Sequence, residues 1–330
     1  MMLPTLPELK EPNFIDVLDA ANRIRPYLQP TPLRHYPSLD RLVGAEVYVK
    51  HENLNPTGAF KVRGGINLIS RLSEDERKRG VIAASTGNHG QSVAYAARLF
   101  GVSAIIYAPE NANPVKVESM QDLGAEVVLK GERYDDARHS AEQAARENGF
   151  RYIHSGDEPL LIAGVGTHTL EVLEEEPHIE TIIVPIGGGS GAAGACIAAK
   201  AINPHIDVIG VQSEQAPAAY NSWKSGKLTV AQNETRAEGL ATATPFDLPQ
   251  RIMRRLLDDF VLVSDEELDA ATLVMIEKTR SLVEAAGAAA LAGALRLKDR
   301  LRGRKVALIC SGGNISPAQL KALLDSNTPT

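Results

Sequence analysis

VIAASTGNHGQSVAYAARLFGVSAIIY, residues 81–107, holds one full period of the pattern that decides the fold. Val81–Ala84 and Ala104–Tyr107 are short β-rich apolar runs, and Gln91–Phe100 between them is a helical candidate. The alternation continues outward in both directions. Further strand-like runs stand at Glu46–Lys50, Glu126–Leu129, Thr181–Ile186, Val208–Val211, Phe260–Val263 and Val306–Cys310. Helical candidates lie at Val115–Leu123, Asp136–Asn148, Gly191–Ala201, Glu266–Ala286 and Gly287–Leu297. An amphipathic helix precedes them all, with Ile15, Leu18, Ala21 and Ile24 on one face. Alternation of this kind predicts an α/β fold, with parallel sheets covered by helices on both faces. Ser225 to Pro249 is the most irregular stretch and reads as a surface excursion or lid.

The chain has 330 residues, enough for about two domains of roughly 150 residues each. Its net charge of −6 and the lack of any Lys/Arg-rich block argue against a nucleic-acid partner. The longest apolar run, Ala285 to Leu295, has 11 residues, far fewer than the ~20 that span a bilayer. Met1 to Phe14 carries Pro4, Pro7, Pro12, Glu8 and Glu11, without the basic start and apolar stretch of a signal peptide. Cys196 and Cys310 sit in apolar segments without a CxxC partner and read as small buried hydrophobes. The expected protein is soluble, cytoplasmic and bound to no membrane.

In such folds ligands bind outside the carboxyl ends of the strands. Three strand-to-helix junctions there are rich in glycine and small polar residues: Ser85–Gly90, Gly187–Gly191 and Ser311–Asn314. Each leads into a helix whose free N–H groups can hold an anion. Gly187, Gly188, Gly189, Ser190 and Gly191 form the most glycine-dense of these and suit a phosphate. Gly189 to Gly194 also matches G-x-G-x-x-G, with Glu214 following, so this loop alone leaves a nicotinamide dinucleotide open. Lys61 follows the turn Asn55-Pro56-Thr57-Gly58 at the start of a helix. The positive end of the helix dipole and burial beside Phe60 both favour its neutral, nucleophilic form. A nucleophilic lysine with a phosphate cradle is what pyridoxal 5′-phosphate requires.

Thr57-Gly58-Ala59-Phe60-Lys61-Val62-Arg63-Gly64 resembles the T-G-S-F-K-x-R-G signature of the fold-type II pyridoxal-phosphate enzymes, in their serine/threonine dehydratase (threonine ammonia-lyase) and serine racemase branch. Ser85 to Gln91 is similar to that branch's S-x-G-N-H-x-Q loop, Gly187–Gly191 to its glycine loop and Ser311–Asn314 to its S-G-G-N close. Gly124–Val128, Ala163–Thr167 and Glu284–Ala289 add weaker echoes in the same order. The resemblance implies two open twisted parallel-sheet domains of the tryptophan synthase β type. Residues 1–75 and 158–330 would form the large one, 76–157 a small mobile one that closes on substrate, with no C-terminal regulatory domain. It implies that Lys61 carries the cofactor and later moves the substrate α-proton, beside Phe60. Asn88 would meet the ring's 3′ oxygen, Gly187–Gly191 the phosphate and Ser311 the pyridine nitrogen. Ser85, Thr86, Gly87 and His89 would receive the substrate carboxylate. A hydroxyl at position 311 supports a weaker electron sink than a carboxylate, which favours β-elimination.

The implied reaction is dehydration and deamination of L-threonine or L-serine, by a homo-oligomer, dimer or tetramer. 3-Hydroxyaspartate dehydration and serine racemisation are alternatives on the same scaffold. Thr86 stands where racemases carry a serine acid/base, and keeps the hydroxyl. Gln212 and Ala218 replace the carboxylates of the racemase metal site, so no metal is expected. Val165 and Ser190 depart from the family pattern and are expected to bear on substrate preference. 3-Hydroxyaspartate needs a further cation near the substrate, for which Arg63 and Arg133 are the candidates. His89, His154 and His168 are secondary candidates as bases, behind Lys61.

Overall fold

The computed structural model describes residues 9–327; the opening with Pro4, Pro7 and Glu8 and the last three residues lie outside the described residues. Among the described residues there are ten strands: β1 Leu33–His35, β2 Glu46–His51, β3 Val81–Ala84, β4 Ala104–Ala108, β5 Glu126–Leu129, β6 Arg151–Tyr152, β7 Thr181–Pro185, β8 Asp207–Ser213, β9 Asp259–Val263 and β10 Lys305–Cys310. They form a six-stranded sheet in the order β1-β2-β10-β7-β8-β9 and a four-stranded sheet in the order β5-β4-β3-β6. Every pairing is parallel except that of β1 with β2. Helices cover both faces of the large sheet, so its central strands are largely apolar. All five residues of β7 are buried. Ile183, Val306 and Leu308 pack toward the alanine-rich helix Ala285–Arg296, and Ile182, Ala307 and Ile309 toward the helix Ser190–Ile202. Both cysteines are free and buried. Among the described residues, no helix is long and apolar enough to cross a membrane.

Two expectations need correction, a third holds in part, and two strands went unpredicted. The opening helix Phe14–Ile24 buries Val17, Ala20 and Ile24, whereas Ile15 and Leu18 are exposed. Two apolar faces share Ile24, and packing of Val17 against Ile162 and Leu170 selects between them. The run Glu266–Ala286 is not one helix. It stops at Thr279, where Arg280 takes a left-handed conformation at φ 57°, and a new helix starts at Ala285. Ser225 to Pro249 is a surface excursion only in its first half: most of residues 225–236 are exposed, and those from 238 to 246 line the cavity between the two sheets. Ala237 and Leu240 are buried, and residues from 247 onward are already helical. Strands β1 and β6 have three and two residues, too short to leave a periodic signal.

Three glycine contacts place the functional loops. The helix Lys61–Ile69 lies between two others at backbone distance. A Cβ at Gly64 would meet the Leu161 carbonyl oxygen at 2.9 Å, and one at Gly65 would meet that of Ser92 at 2.7 Å. The helix Pro159–Glu175 then crosses Ser190–Ile202 at Gly166 and Gly194, where an added Cβ on Gly194 would lie 2.8 Å from the Gly166 Cα. Small residues at these crossings allow the close approach. The helices beginning at Lys61 and Ser190 are thereby stacked with their first residues side by side.

Candidate active site

A cavity of about 900 Å³ opens between the two sheets, at the carboxyl ends of their strands. Phe60, Lys61, Ser85, Thr86, Gly87, Asn88, His89, Gly187, Gly188, Gly189, Ser190, Gly191 and Ser311 all line it. The structure thus brings together every residue that the resemblance assigned to the cofactor or the substrate carboxylate.

Lys61 is the first residue of its helix and is partly buried. Its Nζ donates to the Ser155 carbonyl at 3.2 Å and to Ser190 Oγ at 3.0 Å, and lies 5.3 Å from the centre of the Phe60 ring. Burial lowers its pKa to about 8. Covalent capture of an aromatic aldehyde such as pyridoxal at Lys61 should therefore rise about tenfold per pH unit and level off above pH ~8. Borohydride trapping and mass analysis across pH 6–10 measures this. A midpoint near an ordinary lysine's value would contradict the burial argument.

The Gly187–Gly191 loop packs its Cα side against the protein. A Cβ on Gly187 would meet the Gly239 carbonyl oxygen at 2.5 Å, one on Gly188 the Phe246 ring at 2.0 Å, and one on Gly191 the Phe60 ring at 3.1 Å. Gly189 has φ +95°. The loop ends at Ser190, where a 13-residue helix starts with its free N–H groups. This chemistry fits an anion, and with Lys61 alongside it fits an aldehyde-bearing phosphate.

The opposite wall is the junction after β3. Ser85 Oγ accepts the N–H groups of Gly87 at 3.1 Å and Gly90 at 2.8 Å, which folds the loop over the start of the helix Asn88–Leu99. His89 Nε2 lies 3.2 Å from the Ile153 carbonyl, while its Nδ1 is buried without a hydrogen-bond partner. Burial pushes its pKa down to about 3, with the Lys61 charge adding to the effect. His89 is neutral at physiological pH, and a neutral imidazole adds no repulsive charge beside Lys61. His154 is held at about 4 by burial, and its Nδ1 accepts the N–H groups of Gly156 and Asp157. His168 is fully buried behind Phe60, with its Nδ1 paired to the Thr169 hydroxyl.

Asn88 is fixed at both ends of its amide. Its Nδ2 donates to Glu284 Oε1 at 2.6 Å and its Oδ1 accepts from Asn314 Nδ2 at 2.8 Å. Asn314 also donates to the Thr57 carbonyl, and Phe60 N–H donates to the Ser311 carbonyl at 3.0 Å, so the segment Ser311–Asn314 ties the turn before Lys61 into the site. Ser311 Oγ donates to the Ala286 carbonyl at 3.2 Å.

Sequence reasoning missed Glu284, Lys116 and Glu238. Lys116 comes from the helix Pro114–Asp122 and lies over Gly87, where an added Cβ would meet its Cδ at 2.8 Å. Its Nζ pairs with Glu238 at 2.6 Å and with Glu284 at 3.5 Å. Burial alone would depress its pKa, but these two carboxylates raise it. Only Glu284 carried a signal, as part of an echo of the family pattern. Two departures also resolve. Val165 is fully buried in the core against Gly64 and does not line the cavity, so its expected bearing on substrate preference is withdrawn. Arg63 is buried in an ion-pair network, whereas Arg133 lines the cavity. Gln212 is buried too, its Oε1 accepting the Tyr220 N–H.

The sequence pattern described as pyridoxal-phosphate dependent enzyme matches residues 24–312. An L-threonine ammonia-lyase of Thermotoga maritima is 38% identical over 94% of this chain and 77% of that protein. An L-threo-3-hydroxyaspartate ammonia-lyase of Saccharomyces cerevisiae is 37% identical over 95% of this chain and 96% of that protein. The solved structure of maize serine racemase superposes with a TM-score of 0.91 at 33% identity, covering 96% of this chain and 98% of that one.

Proposed function

The chain belongs to the pyridoxal-phosphate dependent enzymes, and on that premise we propose that it dehydrates and deaminates a hydroxy amino acid, L-threonine or L-serine, to a 2-keto acid and ammonia. The observation that carries this reading is the Lys61 amine, set between the glycine cradle and the Ser85–His89 loop with its pKa lowered to about 8. When bound, the cofactor supplies a sink for the negative charge that develops at the substrate α-carbon. Phe60, Asn88, the Gly187–Gly191 loop and Ser311 hold it; Ser85, Thr86, Gly87 and His89 bind the substrate carboxylate.

Lys61 takes the α-proton as its free amine, which burial keeps available near neutral pH. The β-hydroxyl leaves as water, the net loss being the α-proton that Lys61 took together with that hydroxyl, so that Lys61 returns to its free amine and the resulting enamine is released. Water then converts the enamine to the keto acid and ammonia. Thr86 offers its hydroxyl on the carboxylate side of the cavity. Residues 76–157 act as the unit that closes on substrate, with Lys116 reaching from it to Glu238 and Glu284. We also place the protein in the cytoplasm, a reading supported by its two free thiols. Leu54 and Leu282 are 51% and 57% exposed. They flank Asn53, which bonds the Leu282 carbonyl, and this supports a homo-oligomer that sedimentation measures.

Keto-acid assays of the cofactor-loaded protein test the function: L-threonine should give 2-oxobutanoate and L-serine pyruvate. No keto acid from any hydroxy amino acid would overturn it. Arg133 in the cavity lining, with the yeast relative, favours L-threo-3-hydroxyaspartate as the second reading. In that case Arg133→Ala lowers kcat/KM for hydroxyaspartate more than ~10-fold and leaves that for threonine within about twofold. Equal effects on both substrates would remove this reading.

A further inference from the structure

Ser190 occupies a place where the surrounding loop is otherwise glycine, and its hydroxyl does not face the anion cradle alone. Its Oγ lies 3.0 Å from Lys61 Nζ, and the Ser155 carbonyl lies 3.2 Å from the same nitrogen. A neutral amine has two N–H bonds and one lone pair, arranged roughly tetrahedrally. Two acceptors therefore take both N–H bonds and leave the lone pair a single direction. The Ser155 carbonyl can only accept. Ser190 is 2% exposed, is the first residue of its helix, and is fixed to the Lys61 helix through the Gly64 and Gly166–Gly194 crossings.

We propose that Ser190 is a positioning residue for Lys61: with the Ser155 carbonyl it takes both N–H bonds of the free amine and aims the nitrogen lone pair into the cavity. This rests on the reading of Lys61 as the cofactor-bearing residue and deepens it. The pair acts whenever Lys61 is a free amine, which is when it attacks an aldehyde and when it takes the α-proton. In both cases the reacting orbital is the one left free by Ser190 and Ser155. Preorganisation of this kind lowers the orientational cost of the step. Ser155 follows β6 of the small sheet and Ser190 follows β7 of the large one. The two acceptors thus come from opposite sides of the cavity, and the amine is aimed only when both sides are in place.

The test separates this role from phosphate binding by using pyridoxal, which has the aldehyde and no phosphate. Cofactor-free wild type, Ser190→Ala and Ser190→Thr are mixed with pyridoxal or pyridoxal phosphate over pH 6–10, reduced with borohydride, and scored by mass at Lys61. For Ser190→Ala the plateau rate with pyridoxal should fall about tenfold. Its midpoint should also move below that of wild type, because the ammonium form loses an acceptor. Ser190→Thr keeps the hydroxyl and should restore both. If Ser190→Ala slows capture of pyridoxal phosphate but leaves pyridoxal unchanged, Ser190 is a phosphate ligand only and the proposal is overturned. A lowered plateau with an unmoved midpoint also overturns it, as the mark of a general packing defect. Absence of capture at Lys61 in the wild type itself would overturn the reading of the site along with it.

Discussion

Replacement of Lys61 by alanine is expected to lower keto-acid formation from L-threonine by about ten-thousandfold or more. The fold should survive, because Lys61 is partly buried at a cavity wall and its two polar neighbours, the Ser155 carbonyl and Ser190 Oγ, line the same cavity. The size of the loss follows from the shortage of substitutes. His154 Nδ1 is occupied by two backbone N–H groups, and His168 lies fully buried behind Phe60. His89 Nδ1 is free of protein partners but belongs to the carboxylate-binding wall, and its pKa of about 3 makes it a weak base. Lys61→Arg keeps a positive charge without a nucleophilic lone pair and should be as inactive as Lys61→Ala. Added methylamine should restore part of the turnover in Lys61→Ala. Keto-acid assays across the three proteins, with circular dichroism to verify folding, decide the matter. Residual activity within a hundredfold of wild type would assign the proton transfer elsewhere.

Replacing Arg63 by methionine should cost about 3–5 kcal/mol of stability. Arg63 is 1% exposed and forms two paired contacts, with Glu52 at 2.7 and 2.8 Å and with Glu171 at 2.6 and 2.7 Å. Lys50 closes the network through Glu171 at 2.5 Å and the Thr31 carbonyl at 2.7 Å. Two cations thus balance two carboxylates. Removing one cation leaves the fully buried Glu52 without its partner. In the wild type, burial alone would raise the Glu52 pKa, but Arg63 overrides it and holds the group well below the usual carboxylate range. That lowered pKa contributes stability above the unfolded value near 4.5, which is lost as pH falls toward the folded one. In Arg63→Met the sign reverses. Glu52 then favours its protonated form, and the deficit against wild type should shrink as pH falls through the acid range. Urea unfolding at pH 5 and pH 8 measures both effects. A loss under 1 kcal/mol at pH 8 would show that the network is solvated rather than sealed.

The chemistry-bearing loops were legible in the sequence because strand-to-helix junctions concentrate glycine and small polar residues, and the apolar runs on either side mark the strands. Val81–Ala84 and Glu126–Leu129 are strands with those same bounds. The carboxyl-end rule then placed these junctions at one cavity, which Ser85–His89, Gly187–Gly191 and Ser311 line. What stayed hidden depends on side chains meeting across long separations. Lys116 and Glu238 are ordinary charges on a helix and in an irregular segment, and only the fold puts them 2.6 Å apart over Gly87. Ser155 contributes a backbone carbonyl, which no residue type announces. The break at Arg280 was invisible because no glycine or proline marks it between residues 265 and 286, yet it is what sets Glu284 at the cavity wall. The buried side of the first helix was misread because the face of Ile15, Leu18, Ala21 and Ile24 offers four apolar residues, whereas the buried face of Val17, Ala20 and Ile24 offers three.

Phe246 has its ring against two glycines. A Cβ on Gly156 would lie 2.3 Å from the ring and one on Gly188 2.0 Å, while His154 stands edge-on at 4.6 Å between centroids. The three positions come from different parts of the chain and are bound by a single volume. In the history of such a gene, neither glycine is free to drift while residue 246 stays aromatic. A small residue arising first at 246 opens the space, after which alanine at 156 or 188 carries no steric penalty from the ring. The order of substitutions is therefore constrained as well as their identity: the aromatic must go before either glycine can change.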